Sequence, residues 1–509
     1  MTTDPFRMVG QENAGSRGVR HRCFGLLAGV SLGSIIGAVS AYWSHLAPTQ
    51  SLALALLVFG AVSLPIVLSD LSYWVFALIL VSPIEALFWR AFDAQIKIYY
   101  LVTILAITAY LFQGAVRGRI SYTRNTLLIP ICLFYAVRVV TLAYSPFKVD
   151  TSQYLILFAL LVGIFLAVTA LITDKIAYKR CTLLILVVGT LVTGLGVIQL
   201  AAYRLLGLKI AVFLPRQDQT LVFLSRASST FHEPDNFAAY AAYVFMLLLS
   251  YWLSRAFRRY RPLLGVGLVF SMLALMFAQA RAAMVGVVCG SLLLLGLLYW
   301  EQRRVQLRRL AAAVALAITL ALVLALTSPQ TFSALTYRVR RLLSTEAINP
   351  QTGLASPGTS SARVNTILRA LEISLKTPQT SLVGVGFGTW EKYATVIRAE
   401  GGAGSNVLPS RSPASILVGA YYDAGVPGLF TLLLIPLAYA GAHLRALRYT
   451  TDEFWRGSLR ASLCSFSALF VSFVFTDYFY LGFVWIQLGL AAVAIGLAAK
   501  SGTKVQDEA

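Results

Sequence analysis

The sequence predicts an all-α polytopic membrane protein, with about 12–14 transmembrane helices and a large extracytoplasmic loop that contains an amphipathic helix. The first observation behind this prediction is composition. The chain has 509 residues, of which 58% are hydrophobic and 12% are charged, whereas soluble domains average about 25% charged residues. The second observation is that apolar runs of roughly 17–25 residues, each able to cross about 30 Å of hydrocarbon, recur along nearly the whole chain.

Each apolar run is expected to form one membrane helix. In chain order the runs lie near residues 23–43, 51–69, 71–89, 98–115, 126–144, 152–173, 181–203, 236–254, 263–279, 282–300, 310–328, 427–444, 461–478 and 481–499. The shortest break between neighbouring runs is at Gln279–Arg281.

The positions of Lys and Arg predict the orientation of these helices. If the N-terminus is cytoplasmic, one side of the membrane receives the basic short connections and the other side receives few, which is the positive-inside pattern. Two of the basic connections contain Arg255, Arg258, Arg259 and Arg261, and Arg303, Arg304, Arg308 and Arg309. A cleavable signal peptide is not expected, because the first apolar run is long and no small-residue cleavage site follows it. Both termini are therefore predicted to be cytoplasmic.

This orientation predicts the order of segments along the chain. A cytoplasmic tail (1–22) and N-terminal membrane helices (23–203) come first, followed by an extracytoplasmic loop (204–235) and further membrane helices (236–328). The large extracytoplasmic loop (329–426) precedes the C-terminal membrane helices (427–500) and a cytoplasmic tail (501–509).

Charge and cysteine content exclude several classes of function. The net charge of +21 is mostly explained by basic residues at the inner rim, where they meet anionic lipid. Nucleic-acid binding is not expected, because no basic face accompanies a soluble recognition fold. The five cysteines lie far apart in predicted spans or at their ends, so we expect buried free thiols and neither a disulfide framework nor a metal site.

The stretch SSTFHEPDNFAAY, Ser228–Tyr240, places polar residues at the mouth of a predicted membrane helix. One interpretation is capping, in which Asp235 or Asn236 satisfies free N–H groups of that helix. Capping needs a single residue, however, and His232 and Glu233 remain. The surplus favours a polar rim for catalysis or ligand binding, although no metal-ligand spacing such as H-x-x-x-H is present.

Three arginines outside the cytoplasmic rim are candidates for binding an anion. Arg281 interrupts two apolar runs, and Arg138 lies within another; either could face an anion or a wet cavity, or could extend to the headgroups. Arg363 falls in the first turn of an amphipathic helix expected over Ala362–Lys376, where a solvated helix face is the alternative. Pro378 should end that helix, and Gly384, Gly386 and Gly388 then permit a tight turn with close backbone approach. A dinucleotide site is not expected there, because no strand–helix unit surrounds the glycines.

The order of these motifs resembles that of the O-antigen ligase and polymerase superfamily, over roughly Arg226 to Ile435. An outer loop with an Arg-x-x-x-[ST]-F-x-x-P-[DN]-N-like motif precedes a membrane helix, and a later apolar run ends in an S/A-R-A-A element. The large outer loop contains R-x-x-x-x-x-x-A-[LI] and then G-x-G, and an E-x-G-[LIV]-x-G-like element opens the next span. In this chain the elements after the first are Ala280–Ala283, Arg363–Leu371, Gly384–Gly388 and Tyr421–Gly428.

The resemblance implies a GT-C-like membrane enzyme that transfers glycans on the outer face of the bacterial inner membrane, in lipopolysaccharide or exopolysaccharide biosynthesis. Its donor would be a glycan on undecaprenyl diphosphate. Its acceptor would be another lipid-linked repeat in a polymerase, or the lipid A core in a ligase. The arginines that hold the diphosphate map onto Arg281, Arg363 and Arg226. No metal and no nucleotide cofactor are expected, because the donor is already activated and arginines can stabilise the departing diphosphate.

One departure from the family pattern favours polymerase over ligase. The ligases carry a His-Asn-like pair about eleven residues before the glycine that is Gly425 here, and this chain has Ala414-Ser415 instead. The base that deprotonates the acceptor must then come from elsewhere. Glu233 is the first expectation, with His232 beside it, and Asp423 and Glu391 are the further candidates.

Two other classes remain open from the sequence. A lipid-linked oligosaccharide flippase or secondary transporter would also have about 12–14 spans, but the two halves show no convincing internal repeat. A structural partner of the export machinery is the third class. Further partners left open are export or chain-length machinery.

Overall fold

A computed structural model of the chain describes residues 71–85, 88–91, 94–117, 125–208, 226–231, 233–278, 280–301, 308, 359–393, 413–476 and 479–507. The chain divides into a first unit, Met1–Trp74, and a second unit, Val75–Ala509. Nearly all of the first unit lies outside the described residues, and the second unit is the subject below. The predicted spans 23–43, 51–69 and 310–328 also lie outside the described residues.

The described chain is built almost entirely of helices. After α1 (Ser72–Val81) come the two strands β1 (Phe88–Ala91) and β2 (Ala94–Lys97), and all later elements are helical. These are α2 (Ile98–Arg117), α3 (Leu128–Tyr144), α4 (Lys148–Leu171), α5 (Lys175–Leu206), α6 (Pro234–Leu253), a 3-10 helix (Arg255–Tyr260), α7 (Arg261–Ala278), α8 (Arg281–Trp300), α9 (Thr359–Leu375), α10 (Pro378–Val383), α11 (Ile416–Tyr449), α12 (Glu453–Val474) and α13 (Gly482–Asp507).

Eight described helices are long and apolar enough to cross a membrane, namely α4 to α8 and α11 to α13. The all-α polytopic class is therefore confirmed. The predicted amphipathic segment of the large loop is the helix α9. Helices α7 and α8 present a row of exposed large apolar side chains, which water would penalise and lipid accommodates. They include Leu263, Val266, Val285, Val288 and Leu292.

The predicted span at 71–89 is shorter in the structure, where a hairpin follows it. Helix α1 ends at Val81, shortly before Pro83, which lacks the N–H that a continuing helix needs. Strands β1 and β2 then pair antiparallel, with Phe88 opposite Lys97. The hydrophobic run concealed this turn, because three of the four residues of β1 are apolar.

Segments at or near the connections that the sequence assigns to the outer side are hydrogen-bonded to one another. Thr230 Oγ1 donates to the carbonyl of Pro83 at 2.6 Å, and Tyr99 Oη donates to that of Tyr480 at 3.1 Å. The amide of Ile416 donates to the carbonyl of Thr476 at 3.1 Å.

The opposite end of the bundle is held by ion pairs and a helix cap. Arg460 of α12 pairs with Glu301 at 3.4 Å, and both side chains are buried. Asp452 caps α12 and pairs with Lys175 at the start of α5. Burial alone would raise the pKa of Asp452, but hydrogen bonds from Lys175 and from main-chain amides of α12 outweigh burial and lower that pKa.

Helices α8 and α12 are in close contact because α8 presents glycines to its partner. A Cβ at Gly286 would overlap the carbonyl oxygen of Ala468, and one at Gly290 would lie 2.9 Å from that of Cys464. Small residues four apart let two membrane helices approach until their backbones touch.

Replacing Gly286 by Ala should therefore destabilise the bundle. We expect a loss of about 1–3 kcal/mol from overpacking, measured as a lower temperature of half-unfolding in detergent. Gly296→Ala is the matched control on the same helix, because a Cβ there meets no described atom within 4 Å. Equal stability of the two variants would contradict the close packing of α8 on α12.

Candidate active site at the break of α11

Helix α11 is broken where the family-like motif Tyr421–Gly428 lies. The backbone leaves helical conformation at Ala424 and at Gly425, which has φ +60° and ψ −149°. Pro427 has no N–H to donate to the carbonyl of Asp423, four residues earlier, and its ring crowds that carbonyl. Two carbonyls inside the bundle, those of Tyr422 and Asp423, thereby lose their helical partners and need others.

The Gly384–Gly388 loop supplies those partners. The amide of Val385 donates to the carbonyl of Tyr422 at 2.8 Å, and the amide of Gly386 donates to that of Asp423 at 3.1 Å. All three glycines of the loop have positive φ, and a Cβ at Gly384 would lie 2.5 Å from the amide nitrogen of Ala424. The glycines therefore allow the loop to lie directly on the broken helix, as the sequence predicted for a close-approach turn.

Helix α3 holds the same loop from the other side. The amide of Phe387 donates to Thr141 Oγ1 at 3.1 Å, and Tyr144 Oη donates to the carbonyl of Val383. Helix α10 leads into the loop and begins with a capping box between Thr377 and Thr380. The loop is thus fixed by α3, α10 and α11 together.

Arg138 of α3 pairs with Asp423, the residue whose carbonyl binds the Gly384–Gly388 loop. Its Nη2 is 3.5 Å from Asp423 Oδ2, and both side chains are buried. The guanidinium carbon lies 3.6 Å from the ring centroid of Phe134 and 4.9 Å from that of Phe387, so the cation is stabilised by aromatic faces as well. Of the alternatives left open by the sequence, Arg138 does not extend to the headgroups.

Two donors of Arg138 remain available. Its Nε and Nη1 are buried and have no hydrogen-bond partner among the described residues. Since a buried donor without a partner costs about 1–3 kcal/mol, each such group calls for an explanation, such as a water or a ligand.

Arg138 and Asp423 line a small recess that has room for about one water molecule. The rest of its wall is apolar or aromatic and comes from α3, α4, α11 and the connection before α13. Its lining residues are Phe134, Arg138, Phe158, Ile416, Gly419, Ala420, Asp423, Phe479 and Tyr480. One buried ion pair in an aromatic recess is the usual composition of a small-molecule site.

Arg226 fastens the 226–236 motif to two neighbouring helices. Its Nε donates to the carbonyl of Ala278 at the end of α7, at 2.7 Å, and its Nη2 pairs with Asp235 in the first turn of α6. Arg226 is thus about four-fifths buried and its charge is balanced by a carboxylate. Arg281, the first residue of α8, follows Ala278 closely in sequence.

Asn236 belongs to a buried polar cluster that the sequence did not suggest. Its Nδ2 donates to Glu85 Oε2 at 2.7 Å, and Glu85 pairs with Lys97 of β2 at 2.5 Å. The signal for Glu85 was a single carboxylate inside an apolar run, which is rarely tolerated in lipid without a partner. The sequence did not indicate a buried partner for Lys97, because the β1–β2 hairpin is what brings Lys97 next to Glu85.

The expected cap of α6 is different in the structure. The N-cap residue is Glu233, whose side chain makes no capping hydrogen bond within the described part of the chain. Asp235 and Asn236 instead bind Arg226 and Glu85. The capping prediction was therefore wrong in its residues, because tertiary partners compete for the same oxygen and nitrogen atoms.

Of the remaining predicted site residues, the structure describes the side chain of Glu391. Glu391 accepts a hydrogen bond from Tyr154 of α4 at 3.3 Å. Arg363 lies in α9, but its side chain lies outside the described residues, as does His232. No cluster of three or more His, Cys, Asp or Glu in the described ranges could hold a metal ion.

Comparison with known families identifies the region that contains the break. Residues 266–433 match the O-antigen ligase family. The matched segment begins in α7 and ends in α11, so it includes Arg281, Arg363 and Asp423, while Arg226 and Glu233 precede it. No curated protein matches the chain. The resemblance to the O-antigen ligase and polymerase superfamily is thereby confirmed for this region, and the match supports glycan transfer of this kind in broad terms.

Replacing Gly425 by Ala should release the Gly384–Gly388 loop from α11. A side chain at its φ of +60° is strained, and its Cβ would overlap the carbonyl oxygen of Leu382. We expect trypsin to cleave after Lys376 and Lys392 several times faster than in the wild type.

Gly207→Ala separates backbone strain from this contact. Gly207 has a similar φ of +66°, but a Cβ there meets no described atom within 4 Å, so only strain of about 1–2 kcal/mol applies. Equal cleavage rates in the Gly425 and Gly207 variants would show that docking on the break does not hold the loop.

Proposed function

We propose that this protein polymerises undecaprenyl-diphosphate-linked oligosaccharide repeats at the extracytoplasmic face of the bacterial inner membrane, without a metal ion. One observation carries the proposal: within the O-antigen ligase-like region, the Gly384–Gly388 loop is hydrogen-bonded to the break of α11. Asp423, whose carbonyl accepts one of these hydrogen bonds, pairs with Arg138, and we infer that a lipid-linked donor and a sugar acceptor meet beside this pair.

Arginines are proposed to hold the diphosphate. A departing lipid diphosphate gains negative charge in the transition state, and guanidinium groups remain charged at all relevant pH values. Arg281 stands at the first position of α8, where the helix dipole also favours an anion. Arg363 of α9 is the second proposed contact. Arg226 is the weakest of the three, because Asp235 already neutralises it.

Asp423 is proposed as the base that accepts the acceptor proton, ahead of Glu233 and Glu391. Its carboxylate lines a recess, and Arg138 offsets the cost of burying its charge. The carboxylate of Glu391 already accepts a hydrogen bond from Tyr154. Glu233, with His232 beside it, stays a prediction that the same assay tests.

Ala414 favours polymerisation over ligation. It lies two residues before the start of α11, at the place where the ligases of the superfamily carry histidine, and the alanine side chain has no proton-accepting group. A ligase that transfers glycan to a lipid A core is the alternative within the class. A flippase is the alternative in another class, because it relocates a lipid-linked glycan without changing it.

The proposed orientation has both termini in the cytoplasm. In a chain without other cysteines, Arg369→Cys should react with a membrane-impermeant maleimide added to spheroplasts, since α9 belongs to the outer loop. Arg448→Cys, near the end of α11, should react only after the membrane is permeabilised. The reverse labelling pattern would overturn the orientation.

The enzyme activity should be visible on its native substrate. Cells that lack the gene should accumulate the lipid-linked repeat, which can be extracted and given to the purified, reconstituted chain. We expect longer glycan and free lipid diphosphate, unaffected by EDTA. Arg281→Ala and Arg363→Ala should lower the rate by about 100-fold or more, as loss of one transition-state donor does.

Arg369→Ala is the control for removing a charge from α9. Arg369 is exposed and pairs with Glu372 at 3.0 Å, and exposed pairs of this kind contribute about 1 kcal/mol at most; the rate should stay near that of the wild type. Asp423→Asn and Glu233→Gln in the same assay identify the base. Transfer only to a lipid A core would establish the ligase, and relocation of unchanged lipid would establish the flippase.

A further inference from the structure

We propose that the recess between Arg138 and Asp423 binds the acceptor's attacking sugar hydroxyl, and that the lipid diphosphate binds elsewhere. This inference rests on the proposed function and specifies which substrate group the recess takes. It assigns to Arg138, which lies outside the matched region, a direct contact with the acceptor.

The hydrogen-bonding groups of the recess suit a hydroxyl. Arg138 lines it with Nε and Nη1 buried and lacking partners within the described ranges, and a guanidinium can only donate. Asp423 lines it as well, and an ionised carboxylate can only accept. A sugar hydroxyl does both, since it accepts from Arg138 through its lone pairs and donates its proton to Asp423.

The charge of the recess disfavours a diphosphate. Arg138 and Asp423 form a pair of opposite charges 3.5 Å apart, so the cation is already balanced by a carboxylate. A phosphate group brought to the same place would meet the Asp423 charge in a poorly hydrated site, where repulsion between like charges is large.

The walls and the size of the recess agree with this assignment. Phe134 and Phe158 lie edge to face with centroids 5.7 Å apart, and Phe134 and Phe479 likewise at 5.8 Å. Such aromatic walls exclude water and orient an apolar sugar face. The recess has room for about one water-sized group, so it takes the hydroxyl oxygen, while the acceptor carbon and the donor's anomeric carbon lie at its mouth.

The chemical step balances without a further reactant. Asp423 takes the hydroxyl proton as the acceptor oxygen forms its bond to the anomeric carbon of the donor. The bond from that carbon to the diphosphate oxygen breaks, and the lipid diphosphate leaves with the electron pair.

Two binding measurements on the reconstituted full chain test the proposal. The first probe is the oligosaccharide released by mild acid from the extracted lipid-linked repeat and then labelled; the second is labelled polyprenyl diphosphate without glycan. Arg138→Lys keeps the charge beside Asp423 but loses the planar set of donors. We expect the Kd of the oligosaccharide to rise about ten- to a hundredfold, as for loss of a hydrogen bond to a charged group. The Kd of polyprenyl diphosphate should stay within about twofold, because no lost donor would contact it.

Kinetics separate binding from proton transfer. With the oligosaccharide as soluble acceptor, Arg138→Lys should act mainly on its KM. Asp423→Asn should lower kcat by about 100- to 10,000-fold, the usual contribution of a general base. If both residues had only structural roles, one substitution would not act on KM while the other acts on kcat.

Arg460→Lys is the matched control, because it makes the same substitution in a second buried ion pair, Arg460–Glu301. Both Kd values should remain those of the wild type. If Arg138→Lys weakens polyprenyl diphosphate as strongly as the oligosaccharide, or leaves both unchanged, the assignment is overturned. Failure of the wild type to elongate glycan would instead reject the proposed function, and the two Kd values would still decide what the recess binds.

Discussion

The break of α11 is the constraint on which the candidate site depends. A proline cannot donate a main-chain hydrogen bond, so Pro427 leaves a carbonyl of a membrane helix without its usual partner. In a bundle with little water that group must be satisfied by protein. The amide of Gly386 in the Gly384–Gly388 loop satisfies it, and the amide of Val385 satisfies the neighbouring carbonyl of Tyr422. A local property of one residue thereby fixes the position of a distant loop and exposes the Asp423 side chain to a recess.

The buried pair of Arg138 and Asp423 follows from the same geometry. Either charge alone would be costly at this depth, and the two together are tolerated because each lowers the cost of the other. The aromatic faces of Phe134 and Phe387 add to the stabilisation of the cation. Because the pair satisfies only part of the guanidinium, two of its donors have no partner among the described residues and lie beside a carboxylate.

The polar residues at the start of α6 bind different structural partners. Asp235 neutralises Arg226, and Asn236 is held by Glu85, so both residues mainly tie the outer loop to α6, α7 and the β1–β2 hairpin. Glu233 stands at the N-cap of α6. A cluster of polar residues in sequence is therefore not necessarily one site, since neighbouring side chains can point to different partners.

The sequence by itself determined the membrane class, the approximate spans and the resemblance that the family match confirms, because hydrophobic length, charge bias and motif order are local or linear properties. It also indicated a close-approach turn at Gly384–Gly388. The pairing of Arg138 with Asp423, and of Glu85 with Lys97, was decided by tertiary structure alone. Each pair joins elements separated along the chain, and single-sequence patterns carry no information on which helices meet. The bilayer determines which segments form membrane helices. The need to satisfy buried polar groups determines which of these segments pair.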